Sequence, residues 1–120
     1  MKVLAACAAL IVTTSILHAQ DGDGMGRGVG YSSCALYAKR YAEDPAMADF
    51  LFFTWAQGYM TAANVALAAA GNRYHDLGGS IDDQEAHLRR YCSSHPTASY
   101  NDAVLDLYAS LPLKHKAPFQ

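Results

Sequence analysis

Apolar positions recur at three and four spacing in four stretches of the chain, and no run alternates long enough to make a strand. In the first stretch Cys34, Tyr37, Ala38, Tyr41 and Ala42 share a face, while Lys39, Arg40 and Glu43 lie away from it. Ser32 or Ser33 is available as its cap, and it ends before Pro45. Asp44-Pro45 then restarts the chain, because proline is tolerated in a first turn where its missing N–H is not needed. A long second helix is expected from Ala46 to Ala70, with Gly71 as its stop. The third begins at Ser80, which with Asp83 makes a capping-box-like start. It sets Ile81, Leu88 and Cys92 on one side, carries Arg89 and Arg90 in its last turn, and is broken by His95-Pro96. The fourth pattern is the cleanest, a stripe of Tyr100, Ala103, Val104, Leu107, Tyr108 and Leu111 capped by Ser99 with Asp102 and terminated at Pro112. These patterns predict an all-α fold: a small four-helix domain over residues 32–112, organised on a long central helix, with residues 113–120 as a tail.

The central helix raises a membrane question. From Phe50 to Asn72 there are 23 residues without a charge, bracketed by Asp49 and Arg73, a length that could span a bilayer. Against this, Thr54, Gln57, Thr61 and Asn64 form one narrow polar stripe, as expected where an edge of a bundle helix reaches water or a neighbour. The segment is therefore read as a buried core helix, with no stable membrane insertion. Its bulk is uneven: Phe50, Phe52, Phe53, Trp55, Tyr59 and Met60 precede a second half of mainly small residues. Gly58 and the alanines allow close approach of another backbone, although glycine costs about 1 kcal/mol against alanine inside a helix. Phe52, Phe53, Trp55 and Tyr59 are either core or, on a functional reading, a surface for a protein client.

The ends of the chain change the arithmetic. Met1-Lys2, an apolar run from Val3 to Val12 and a small residue at Ala19 have the layout of a secretory signal, so residues 1–19 are expected to be removed and the protein to act in the periplasm. Cys7 leaves with them. The mature chain then has two cysteines, and an oxidising compartment with a small core makes them one disulfide, Cys34 to Cys92. Because these cysteines flank the uncharged run, a single membrane span would separate them. Residues 20–31 place glycine at every second position from Gly22 to Gly30 and are read as a flexible leader, since the spacing fits no phosphate-binding loop. The full chain carries a formal charge of -2, which lacks the basic surplus that nucleic-acid binding needs. Of its 120 residues 52% are hydrophobic, yet 22 are alanine and bury little area each.

No constellation with catalytic geometry is legible. Cys92 and His95 have a metal-like spacing without a second pair to complete four ligands. Ser94, His95 and Asp102 supply the letters of a hydrolase triad without a nucleophile elbow. Asp82 and Asp83 occupy a helix's first turn, where acids belong for electrostatic reasons. His75 sits in a loop and His115 in the tail. The chain is therefore read as non-enzymatic, with no metal or cofactor and with a protein as its partner, a homodimer included.

Cys34-x-x-Tyr37, then Trp55-Ala56-Gln57-Gly58-Tyr59, then Tyr91-Cys92-x-x-His95-Pro96 followed by Asp102-Ala103 resembles the HdeA/HdeB family of small periplasmic proteins, over residues 34–108. That resemblance implies a compact helical domain whose two cysteines join helices, and an acid-stress chaperone that exposes its aromatic surface to acid-unfolded clients. The segment Leu88-Arg89-Arg90-Tyr91 through His95-Pro96 to Ala103 and Leu111-Pro112 is also similar to immunity proteins that inhibit peptidoglycan amidases of type VI secretion. On that reading the partner surface is the loop 71–80, with Arg73, Tyr74 and His75 as its candidates. Mass spectrometry of the exported protein should find a chain starting at Gln20 and two hydrogens lighter than its reduced form. An unprocessed or fully reduced chain would contradict the reading of the termini.

Overall fold

The computed structural model describes residues 26–114. The signal, the first part of the leader, Cys7 and His115 therefore lie outside the described residues. Four helices follow in the expected order: α1 over Cys34–Glu43, α2 over Pro45–Ala69, α3 over Ile81–Ser94 and α4 over Tyr100–Ser110. A two-stranded antiparallel sheet, β1 over Tyr74–His75 and β2 over Leu113–Lys114, closes the far end of the domain. The fold is all-α apart from this sheet. No helix among the described residues is long and apolar enough to cross a membrane.

The helix ends are set by side chains. Ser33 Oγ accepts from the Leu36 N–H at 3.2 Å, and Asp44 Oδ1 accepts from the Met47 N–H at 3.1 Å, with Pro45 in the first turn of α2. Ser99 and Asp102 form a complete capping box at α4. At the end of α2, Gly71 takes φ of 79°, the left-handed region that glycine enters without penalty. The Asn72 N–H then reaches back to Leu67 O and the Gly71 N–H to Ala68 O, satisfying two carbonyls that a helix otherwise leaves bare. Helix α3 runs to Ser94, so Arg89 and Arg90 precede its last turn and do not cap it, contrary to the sequence expectation. Ile81 is exposed, and Leu88 and Cys92 alone of the expected trio are buried.

The core gathers Cys34 and Tyr37 from α1, Phe52, Phe53, Ala56 and Met60 from α2, Leu88 and Cys92 from α3, and Tyr100, Ala103, Val104 and Leu107 from α4. Tyr37, Phe52 and Tyr100 pack with ring centroids 4.9 Å apart in all three pairings, tilted or edge-on as aromatic quadrupoles prefer. Burial, and then neighbouring negative charge, pushes both tyrosine phenols well above their ordinary range. The Cys34–Cys92 disulfide, with Cα atoms 4.7 Å apart, fastens the start of α1 to the end of α3.

Two expectations are corrected here. The leader is not free through residue 31: Val29–Tyr31 form a 3-10 turn in which Gly30 is buried against the Trp55 indole, where an added Cβ would collide with the ring. Helix α2 is also not buried all round. Only Ala48, Phe52, Phe53, Ala56, Met60 and Ala68 are buried, and the opposite face is exposed. The stripe of Thr54, Gln57 and Thr61 lies on that exposed face, and Asn64 at its end meets a neighbouring segment, as the sequence predicts.

Closing a chain segment of 58 residues should stabilise by roughly 4 kcal/mol on the chain-entropy account. Replacing Cys34 and Cys92 together by alanine should lower the unfolding free energy by about that amount in urea titration. A loss under about 1 kcal/mol would mean that helix packing alone holds the domain.

Candidate functional site

The residues singled out in the sequence separate into three places. Phe52 and Phe53 lie in the core and cannot serve as a client surface while the domain is folded, which corrects their assignment. Trp55 and Tyr59 stack on each other at 5.5 Å and are partly covered by the leader, whose Tyr31 meets the indole edge-on at 6.2 Å. Arg73, Tyr74 and His75 follow the C-terminal end of α2, where the chain turns back so that His75 lies against Asn64 of the same helix.

The loop is positioned, not free. Asn64, the last member of the polar stripe on α2, donates from Nδ2 to His75 O at 2.8 Å and accepts the His75 N–H at Oδ1 at 2.9 Å. The Tyr108 hydroxyl donates to the same Oδ1 at 2.6 Å. The His75 ring packs on Tyr108 at 4.2 Å, with Nδ1 hydrogen-bonded to Leu111 O at 2.9 Å. Lys114 on β2 pairs with Asp76 at 2.8 Å. Lys114, then the Gly78 N–H, holds the Asp76 carboxyl below its usual range. His75 thus belongs to a strand with side-chain anchors, and residues 113–114 of the expected tail belong to its partner strand. The polar stripe of Thr54, Gln57, Thr61 and Asn64 is visible in the sequence; the long-range partners of Asn64 are not.

A second polar cluster joins three helices. Asp49 accepts from the Tyr37 hydroxyl at 3.2 Å and from Arg89 at 3.4 Å, while the Arg89 guanidinium lies 5.1 Å from the Tyr41 ring centre. Glu85 stands 4.0 Å from the same guanidinium, and burial, then the charge of Asp49, raises its carboxyl above the ordinary value. On the other side of α3, His87 Nε2 meets Asp106 of α4 at 2.7 Å.

The residues considered for chemistry are otherwise engaged. Cys92 is in the disulfide, and His95 stacks on Tyr91 at 4.4 Å with Nδ1 hydrogen-bonded to Tyr91 O. Ser94 donates to Arg90 O, and Asp102 caps α4. Among the described residues no group of three His, Cys, Asp or Glu side chains comes together.

The opening that sequence reasoning missed lies between α1 and the first turns of α2. It is a recess of about 450 Å³ walled by Val29, Leu36, Met47, Leu51 and Phe52, with Arg40, Glu43 and Asp44 at its charged rim. Leu36, Met47 and Leu51 are exposed. Met47 and Leu51 stand four apart on α2, and their pairing with Leu36 depends on how α1 folds back at Asp44-Pro45, which spacing alone does not reveal.

Comparison with protein-family models, with curated proteins and with solved structures finds no match to this chain.

Asn64→Ala should leave the His75 N–H and carbonyl without their partners and destabilise the domain by about 1–3 kcal/mol. Amide exchange at His75 should speed up while exchange at buried Val104 changes no more than global stability requires. Unchanged exchange at His75 would remove Asn64 from its anchoring role.

Proposed function

We propose that this chain is an exported, non-enzymatic helical protein of the periplasm that binds apolar segments of acid-unfolded proteins at the recess between α1 and α2. The observation that carries this reading is the recess itself: exposed Leu36, Met47 and Leu51 around about 450 Å³ of open space, with Glu43 and Asp44 on its rim. Exposed apolar side chains grouped at a concave surface are a recurring feature of protein-binding sites.

Acid sensitivity has support in the carboxylates at the joints. Asp49 with Arg89 ties α2 to α3, Asp106 with His87 ties α3 to α4, and Asp76 with Lys114 ties β1 to β2. The Asp76 carboxyl is lowered, so its contribution is present above the ordinary aspartate value and is lost as pH falls through the lowered one. Glu85 works in the opposite sense: its raised value means that protonation relieves a burden on the folded state. With carboxylates protonated, the mature chain moves from a slight negative balance to about +13, counting Lys, Arg, His and the amino terminus. Acid therefore takes away the contribution of Asp76 with Lys114 at the sheet and adds positive charge to the chain, while the disulfide keeps α1 and α3 together.

A second reading, an immunity protein that plugs an amidase cleft, has support in the anchored loop. A surface fixed by Asn64, His75 and Lys114 at neutral pH, with Arg73 exposed, is what a preformed inhibitor presents. The two readings separate on pH. Light scattering of an acid-labile client at pH 2–3 should be suppressed by a few-fold molar excess of this protein, with no effect at pH 7. Leu51→Lys should reduce the suppression severalfold. No suppression at any acid pH, together with neutral binding to an exported amidase, would favour inhibition and end the chaperone reading.

A further inference from the structure

Charge is divided unevenly between two sides of the domain. The leader, α1, α2 and the turn that leaves α2 carry Arg27, Lys39, Arg40 and Arg73 against Glu43, Asp44 and Asp49, and Asp49 is paired with Arg89 of α3. From Asp76 to Lys114 the balance reverses. There Asp76, Asp82, Asp83, Glu85, Asp102 and Asp106 outnumber Arg89, Arg90 and Lys114. The side formed by α1 and α2 is thus slightly cationic and the side formed by α3 and α4 acidic, within a chain whose net charge is negative.

The cationic side is also the apolar one. Every exposed residue of α2 is uncharged, and Met47, Phe50 and Leu51 stand together at its N-terminal end, with Leu36 of α1 facing them across the recess. Phe50 has 66% of its surface exposed. Further along, exposed Tyr31 meets the Trp55 indole edge-on and Trp55 stacks on Tyr59, both of these partly exposed. Gly28 approaches the indole, which sets exposed Arg27 near it. Arg40 stands on the rim of the recess with Lys39 next to it, each with most of its side chain in water. Arg73, exposed and without an ion pair among the described residues, follows the other end of α2.

We propose that this side is a peripheral docking surface for a lipid bilayer with anionic headgroups. Helix α2 lies in the plane of the bilayer, and Met47, Phe50 and Leu51 enter the boundary between headgroups and acyl chains. Trp55 and Tyr31 suit that boundary because their rings are apolar with one polar edge. Arg27, Lys39, Arg40 and Arg73 meet lipid phosphates around the rim of the contact. The cations stand at the edges and none in the middle, and the face is the convex surface of a helix about 37 Å long. A fluid bilayer conforms to such a face, whereas a folded protein partner needs a matching groove. The acidic side then points to water, so the unfavourable net charge orients the chain on the membrane.

The same residues limit the contact. Glu43 is held by Lys39 and Arg40, and Asp44 caps α2, so the hairpin between α1 and α2 brings two acids near the surface. Thr54, Gln57 and Thr61 keep the middle of the helix at headgroup depth. Binding is therefore reversible, shallow and sensitive to salt. It uses the folded domain at neutral pH and does not depend on capture of acid-unfolded clients.

Trp55 is the single tryptophan of the chain, so its emission reports the contact. The oxidised, exported chain should co-sediment at neutral pH and low salt with vesicles of phosphatidylethanolamine containing about 30% phosphatidylglycerol. Trp55 emission should move to shorter wavelength and be quenched by lipids brominated near the headgroup. Vesicles of phosphatidylcholine alone should bind at least tenfold more weakly, and salt at about 0.5 M should release the protein. Arg73→Gln should lower the partition coefficient about fivefold, and Phe50→Gln about tenfold, with melting temperatures unchanged. Arg90→Gln makes an equal change of net charge on the acidic side and should leave binding as it is. No binding to anionic vesicles at millimolar lipid would overturn the proposal and leave the face to a protein. Equal binding to phosphatidylcholine, or equal losses from Arg73→Gln and Arg90→Gln, would overturn it as well. Suppression of client aggregation in acid, measured without lipid, stands or falls separately.

Discussion

The bond between Cys34 and Cys92 fixes the place to which the rest of the domain is referred. It holds the first residue of α1 against the last turns of α3, with Cα atoms 4.7 Å apart. The turn that follows α3 is thereby brought over the start of α1. There the N–H groups of Cys34 and Ala35, which no residue inside α1 can satisfy, donate to Ala98 O and Pro96 O. The Tyr100 N–H donates to Ser32 O in return. One covalent link thus recruits three backbone hydrogen bonds and delivers Tyr100 to Tyr37 and Phe52. The aromatic centre of the core follows from where the cysteines lie.

That arrangement explains why a modest set of large side chains suffices. Alanine provides much of the hydrophobic content and little buried area. The core is concentrated along one side of α2, where Phe52, Phe53, Ala56 and Met60 receive α1 and α4, and α3 packs in turn on those two helices. Beyond Met60 the packing thins. The far end is held instead by Asn64, which binds the backbone of His75 from both sides, and by Lys114 on Asp76. Apolar burial secures one half of the domain and directed polar bonds the other, so the loop stays fixed although few large side chains lie beneath it.

Helix limits were legible because they are encoded locally: Ser33, Asp44, Gly71 and Ser99 each act within four residues of their own position. The stripe on α4 was legible for a related reason, since its charges mark the side that faces water. The orientation of α2 was legible in part: the stripe of Thr54, Gln57 and Thr61 lies on the exposed side, and Phe50 and Leu51, four and three residues before Thr54, share that side while Phe52 and Phe53 are buried. The first part of the helix has Asp49 as its one polar residue, and because that side chain pairs with Arg89 it does not mark the exposed side. The pairing of β1 with β2 was hidden, because two-residue strands carry no alternation and their partners lie almost forty residues apart. The recess shares this origin, being made by the angle at Asp44-Pro45 and the return of Val29 beneath Trp55. Each of these features depends on contacts distant in sequence, and so does nearly everything that bears on function.

The two faces of α2 answer to different requirements. The buried face must fill space around Tyr37 and Tyr100, and large changes there act on the fold. The exposed face is bound by no such demand: at Phe50, Gly58 and Val65, Lys, Glu or Gln would suit both water and helix propensity better. Fold stability does not account for an uncharged exposed face with a glycine near its centre. A surface whose composition the monomer does not need is explained by what it touches outside the monomer.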